Sequence, residues 1–327
     1  MRQLEPSTAP MKSESPLTTP LPFHIFAQPQ PQSPRTSSPA PTPTPLPPQN
    51  SSTSQVKSTG SESPPENPTF TLPKLRLEIR DLNHAGAQVF LEAVVASKAL
   101  STAVQKVLSL LYLSPDSPTT TVPPTRSVTL ILRSMGGVAY TTGSDLDGDH
   151  KEIHFSLEYI NGIASSRKTD EIMGVLVHEM VHCYQYNAFG TGPGGLIEGI
   201  ADWVRLNSDL SPPHWKKEAT GKWDAGYQHT GYFLDYLEQR FGSGTIRRLN
   251  EKLRIHRYEE KRFWTELLGR PVEQLWGDYA KAVEKEKTKA EEEECVIVEK
   301  EDATTPKNVE GFATPVVELN RLRSKGH

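Results

Sequence analysis

Apolar and polar residues alternate from Leu75 to Leu82 (LRLEIRDL), the period of a strand with one buried face. From Ala87 to Leu113 the spacing becomes helical. Val89, Phe90, Ala93 and Val94 form one set, and Leu100, Val104, Val107, Leu108 and Leu111 a second. This pattern predicts two helices or one bent helix, with a break near Lys98 to Ser101. A proline-bearing loop, SPDSPTTTVPPT, follows. The run SVTLILRS (127–134) predicts another strand, and EIHFSLEYI (152–160), with Ile153, Phe155 and Leu157 alternating, predicts a third. Between them MGGVAYTTGSDLDGDHK, rich in glycine and acids, predicts a turn-rich connection. Helical spacing dominates afterwards, over 169–188, 195–208, 224–241, 243–255, 259–268 and 271–285. A small mixed sheet with helices, followed by a helical C-terminal half, is the order of an α+β domain.

Composition confines that domain to part of the chain. Of the 327 residues, 35% are hydrophobic, but residues 1–70 hold 17 of the 28 prolines amid runs of Ser, Thr and Gln. Such a segment buries too little apolar surface to offset its ordering entropy, so 1–70 is expected to be disordered, with local polyproline conformation. PTPTPLPP within it suits SH3-like or WW-like partners. From 286 to 327 the chain is charged and loses apolar periodicity after a helical start, which predicts a second disordered tail. About 215 residues, 71–285, remain for one core of ordinary size.

The formal net charge is -4. No basic stripe is present, which argues against nucleic acid and anionic membrane as partners. No run of 18 or more apolar residues exists to span a bilayer. The first residues, MRQLEPSTAPMKSESPL, lack the apolar h-region of a secretory signal, so the default expectation is the cytoplasm. Two cysteines, Cys183 and Cys295, make no disulfide framework. DLDGD (145–149) resembles the start of a calcium loop but lacks the later ligands, and a solvated turn is the better reading.

The chemistry lies in GVLVHEMVHCYQY (174–186). Thr169 is a plausible N-cap, with Asp170 and Glu171 in the first turn where the helix dipole favours acids. Ile172, Val175, Leu176, Val177, Met180 and Val181 make the helix largely buried. His178 and His182, four residues apart, share one face, so their ring nitrogens can converge on one cation. Glu179 projects about 100° round from His178, near the metal but outside a ligand position. Two imidazoles to bind zinc and a carboxylate to take a proton from zinc-bound water form the HExxH arrangement of a zinc hydrolase. Two histidines in so apolar a helix also need partners, and a metal supplies them.

A catalytic zinc takes a third protein ligand. The continuation HExxHxxGxxH is absent, since Gln185 and Ala188 occupy its later positions. In GPGGLIEGIADWVRL (192–206), Gly194 and Gly195 predict a turn and a second apolar helix starts near Leu196. Glu198 and Asp202 lie one turn apart on its inner side. Glu198 is placed to be the third ligand, and Asp202 to accept the second N–H of His178. Asp202 as the ligand instead is the main competitor, and pairing of both acids with Arg205 is the structural alternative.

With WDAGYQHTGYFLDYLEQRFG (223–242), these two helices resemble the plant basic secretory protein family of plants, fungi and bacteria, over residues 75 to about 280. The resemblance implies a zincin-like metallopeptidase domain holding Zn2+ through His178, His182 and Glu198, with Glu179 as general base. It implies a peptide or protein substrate.

For the oxyanion of amide hydrolysis, the third segment offers Tyr227, His229 and Tyr232. Tyr227, beside Gly226 at the helix start, is the favoured donor, and Tyr236 is expected to pack. The glycines between the two metal helices suit a flexible connector or a substrate-edge loop. EIHFSLEYI is a candidate to pair with an extended peptide, and His154 on it is expected to be no ligand. Two functions are therefore expected in competition: a zinc-dependent peptidase, or a catalytically silent zincin-fold module with a Pro-rich docking tail.

Overall fold

The computed structural model describes residues 70–304 except residue 145. Four strands form one sheet: β1 (Lys74–Ile79), β2 (Ser127–Arg133), β3 (Ala139–Ser144) and β4 (Asp147–Ser156). Their order is β1-β2-β4-β3, with β3 antiparallel to β4 and the other neighbours parallel. Leu77, Leu130, Ile153 and Thr141 stand in one row across it. Nine helices pack with this sheet among the described residues: α1 (Ala85–Ala93), α2 (Ala96–Leu111), α3 (Leu157–Gly162), α4 (Lys168–His182), α5 (Gly194–Leu206), α6 (Tyr227–Phe241), α7 (Thr245–Ile255), α8 (Glu260–Leu268) and α9 (Val272–Thr304). The architecture is α+β, with a small mixed sheet and a helical majority.

One core unites the elements. Leu130, Leu132, Ile153 and Phe155 of the sheet join Val104, Val107 and Leu111 of α2 and Leu176, Val177 and Met180 of α4. Each such fully buried side chain contributes about 1.5–3 kcal/mol relative to exposure. The helix α4 contacts α2 on one side, α5 on another and β3 on a third. That is why its sequence is apolar nearly all round.

Several boundaries differ from those the sequence predicts. The break between the first two helices falls at Val94 and Val95, not at Lys98 to Ser101, and two β-branched residues in extended conformation make it. The turn-rich connection contains a strand: Ala139–Ser144 pairs with β4, which itself begins at Asp147 rather than at residue 152. With β2 and β3 on its two sides, β4 has no free edge for a peptide, and the edge strands are β1 and β3. The helix α5 starts at Gly194, where a turn is expected. Arg167, not Thr169, occupies the N-cap of α4, and the Thr169 hydroxyl instead donates to the Ala93 carbonyl at 3.1 Å.

The last helix continues through residues 286–304, where the disordered tail is expected to begin. Its Glu, Lys and Ala are strong helix formers that need no core, and Lys289 pairs with Glu293 at 3.5 Å. The proline-rich segment (1–69), with its proposed SH3 and WW ligands, and residues 305–327 lie outside the described residues. Among the described residues no single helix is long and apolar enough to cross a membrane.

Candidate metal centre

Arg205 sets the two motif helices against each other. Gly174 leaves room on α4 for the Arg205 guanidinium, which a Cβ there would meet at 2.6 Å. Arg205, near the end of α5, donates to Glu171 at 3.0 Å and to the Leu210 carbonyl, and lies over the Trp215 ring. Tyr159 donates to the same Glu171 oxygen at 2.9 Å. Burial works to raise the Glu171 carboxyl, but Arg205 and Tyr159 together hold it below its usual range. So Arg205 pairs with Glu171, and Glu198 and Asp202 are left to meet the histidines.

The Nε2 atoms of His178 and His182 lie 3.3 Å apart. Glu198 Oε2 is 3.1 Å from the first and 3.7 Å from the second. These three ligand atoms fall within 4.8 Å of one another, and the cluster could hold a metal ion. Behind it, His178 Nδ1–H donates to Asp202 Oδ1 at 2.6 Å, and Asp202 is only 2% exposed. Burial opposes a charge on His178, yet Asp202 and Glu198 outweigh it and raise its pKa well above an ordinary histidine's. Burial likewise opposes ionisation of Glu198, and the two histidines hold it well below the usual carboxylate range.

One comparison with known proteins finds a match. The model of a family described as peptidases of plants and bacteria matches residues 72–279. The chain belongs to this family, the basic secretory proteins. No curated protein and no solved structure matches it. The matched span includes every strand, both motif helices and Tyr227, so the family's peptidase description attaches to the part of the chain that carries the cluster.

In this family member Tyr227 alone of the three proposed oxyanion donors reaches the cluster. Its ring stacks on His178, with centroids 6.1 Å apart and planes 14° from parallel. Burial first, and then the charges of Glu198, Asp202 and Glu179, push its phenol up to about 12. His229 lies against Trp276, Tyr232 against Trp215, and Tyr236 against Tyr279. Small residues bring Tyr227 in. A Cβ on Gly195 would stand 1.8 Å from the Asp224 carbonyl oxygen, and one on Gly199 would strike Thr230. Gly226 adopts φ 89° and ψ -177°, which only glycine takes readily, and its N–H donates to the Thr230 hydroxyl.

Two polar residues at the cluster escape the sequence reading. Thr141 on β3 places its hydroxyl 2.7 Å from Glu179 Oε2 and 3.0 Å from the Glu179 carbonyl. Gln185 sits 2.9 Å from His182 Nδ1 through its amide nitrogen, while its buried carbonyl oxygen has no partner. The reversed amide would accept the His182 Nδ1–H and leave Nε2 as a lone pair facing Glu198. Gln185 is one of the two residues that break the longer HExxHxxGxxH pattern, and the fold turns it to His182.

Other expected features lie elsewhere. His154 is buried on the outer face of the sheet, stacked on Tyr140 at 4.5 Å and 3.1 Å from Glu152. Asp147 and Asp149 pair with Arg126, and both lie in β4 rather than in the solvated turn expected over 145–149. The connector between the two motif helices contains a hydrogen-bonded turn. Ala188, Phe189 and Gly190 take successive left-handed φ values of 57°, 57° and 76°. Asn187 accepts from the N–H groups of Gly190 and Gly192, and Ala188 N–H donates to the Leu253 carbonyl.

Proposed function

We propose that this chain is a zinc-dependent peptidase, with His178, His182 and Glu198 as the ligands and Glu179 as the general base. The observation that carries the proposal is the spacing of the ligand atoms. Tetrahedral zinc with bonds to nitrogen and oxygen of ordinary length sets its ligand atoms about 3.3–3.5 Å apart. The spacings here are 3.1, 3.3 and 3.7 Å. Two imidazoles and one carboxylate are also the donor set of a catalytic rather than a structural zinc. When bound, zinc would supply a Lewis acid for the scissile carbonyl and lower the pKa of a water.

The residues of the chain then divide the work. Asp202 holds the His178 Nδ1 proton and so keeps the Nε2 lone pair turned inward. Gln185 is placed to do the same for His182. Glu179 takes the proton of the attacking water on its carboxylate and returns it to the leaving amine. Tyr227, a neutral donor at any physiological pH, offers its O–H to the developing oxyanion. The substrate peptide adds as a strand to the free edge of β3, the strand that touches Glu179.

The test is metal content and cleavage of the full-length protein. Elemental analysis should find one zinc per wild-type chain and a loss in His182→Ala and Glu198→Ala. Glu179→Gln should keep its zinc and lose cleavage of an unfolded protein substrate. A folded wild type that takes up no zinc would end the proposal.

A further inference from the structure

We propose that Thr141 is a positioning residue for Glu179, an inference that rests on the role assigned to Glu179 above. The Thr141 hydroxyl carries one proton and faces two acceptors, Glu179 Oε2 at 2.7 Å and the Glu179 carbonyl at 3.0 Å. The carboxylate oxygen is the closer acceptor, so the proton goes to Oε2. A glutamate side chain has three rotatable bonds and, on a helix, many rotamers. One hydrogen bond selects among them.

The donor itself is fixed. Thr141 is 5% exposed, and its β-branched side chain is stiff about the first torsion. Its backbone is in register with Ile153, whose side chain is fully buried in the core. The hydroxyl is thus tied to the sheet and not to the helix that carries the base. With Oε2 engaged, the second carboxylate oxygen is the one turned to the attacking water. Thr141 also stands on the edge strand β3, so a peptide seated along that edge would lie against the strand that sets the base. Substrate register and base orientation then share one element.

The alternative is that Thr141 only fills space and satisfies a buried group. Valine has the same shape without the hydroxyl, and serine keeps the hydroxyl without the methyl, so the two variants separate these roles. In the full-length protein, Thr141→Val should keep its zinc and its KM while kcat falls about 10–100-fold, the loss typical of a displaced reacting group. Thr141→Ser should recover most of that loss. A readout independent of turnover comes from crystals of the metal-free variants. The Glu179 carboxylate should hold one position in wild type and Thr141→Ser, and spread over several in Thr141→Val.

A Glu179 carboxylate unmoved in Thr141→Val, or a serine variant as impaired as the valine one, would overturn the proposal. Glu179→Gln separates the two levels. If it is inactive while Thr141→Val turns over normally, the general base stands and the positioning role falls. If it stays active, the general base falls, and the crystals alone decide whether Thr141 holds the carboxylate.

Discussion

His178 Nδ1 and Asp202 Oδ1 are 2.6 Å apart, and they belong to different helices. The bond does two things at once. It selects the histidine tautomer whose Nε2 can serve as a ligand, and it satisfies a carboxylate that is almost wholly buried. Asp202→Asn should therefore weaken zinc binding about 10–100-fold without removing the ligand set. Competition against a coloured chelator measures this, and an unchanged affinity would show that Asp202 does not govern the histidine.

Zinc uptake should release protons. Asp202 and Glu198 hold the pKa of His178 well above an ordinary histidine's, which favours the protonated ring in the metal-free protein. A ligand nitrogen must be deprotonated, and the metal displaces that proton. Because the folded-state pKa is raised, binding should strengthen as pH rises towards it and level off above it. Calorimetric titration in buffers of different ionisation enthalpy should report about one proton released per zinc near neutrality.

Replacing Tyr227 with Phe removes a single hydroxyl and leaves the ring stacked on His178. Turnover should fall about 100-fold with zinc content and KM near wild type, the pattern of a lost oxyanion donor. Steady-state kinetics on a peptide substrate would show it. Equal losses in kcat and zinc would instead mark the tyrosine as part of the scaffold.

The seam between α5 and α6 has no room for a methyl group at Gly195. The Asp224 carbonyl carbon and oxygen and the Gly226 nitrogen crowd the position, and backbone cannot step aside as a side chain can. Gly195→Ala should cost about 1–3 kcal/mol through overpacking. In a domain of this size that lowers Tm by roughly 3–10 °C. Thermal unfolding followed by circular dichroism is the measurement. Activity should drop further than stability requires, because the same seam places Tyr227.

Much of the site was readable because side-chain period is a local property. His178 and His182 had to share a face once the helix was assigned, and so did Glu198 and Asp202. Thr141 was not readable, because AYTTGS has no apolar alternation and becomes a strand by pairing with β4. Gln185 looked like a departure from a known spacing, and only the turn after His182 brings its amide back to the ring. The peptide-pairing edge was placed on the wrong strand for a related reason. The pattern of EIHFSLEYI predicts a strand throughout, but the strand ends at Ser156 and Leu157 opens α3; alternation also carries no information on a strand's neighbours, and the fold puts β3 outside it. Residues 286–304 were given to the tail for want of a core face, although propensity alone can carry a charged helix onward.

The ligand atoms come from both sides of a turn fixed by Ala188, Phe189 and Gly190, with two histidines before it and one carboxylate after it. Under the zinc reading, the ion is a clasp closed over that hinge. A copy stripped of its metal would keep three lone-pair donors facing one another, with only protons to reconcile them. The seam between α4 and α5 would then be a line of parting, with His178 on one side of it and Asp202 and Glu198 on the other. Loss of the ion would then cost the molecule its chemistry and its protection from other proteases in one event, so that zinc supply would set how long each copy lasts as well as how fast it works.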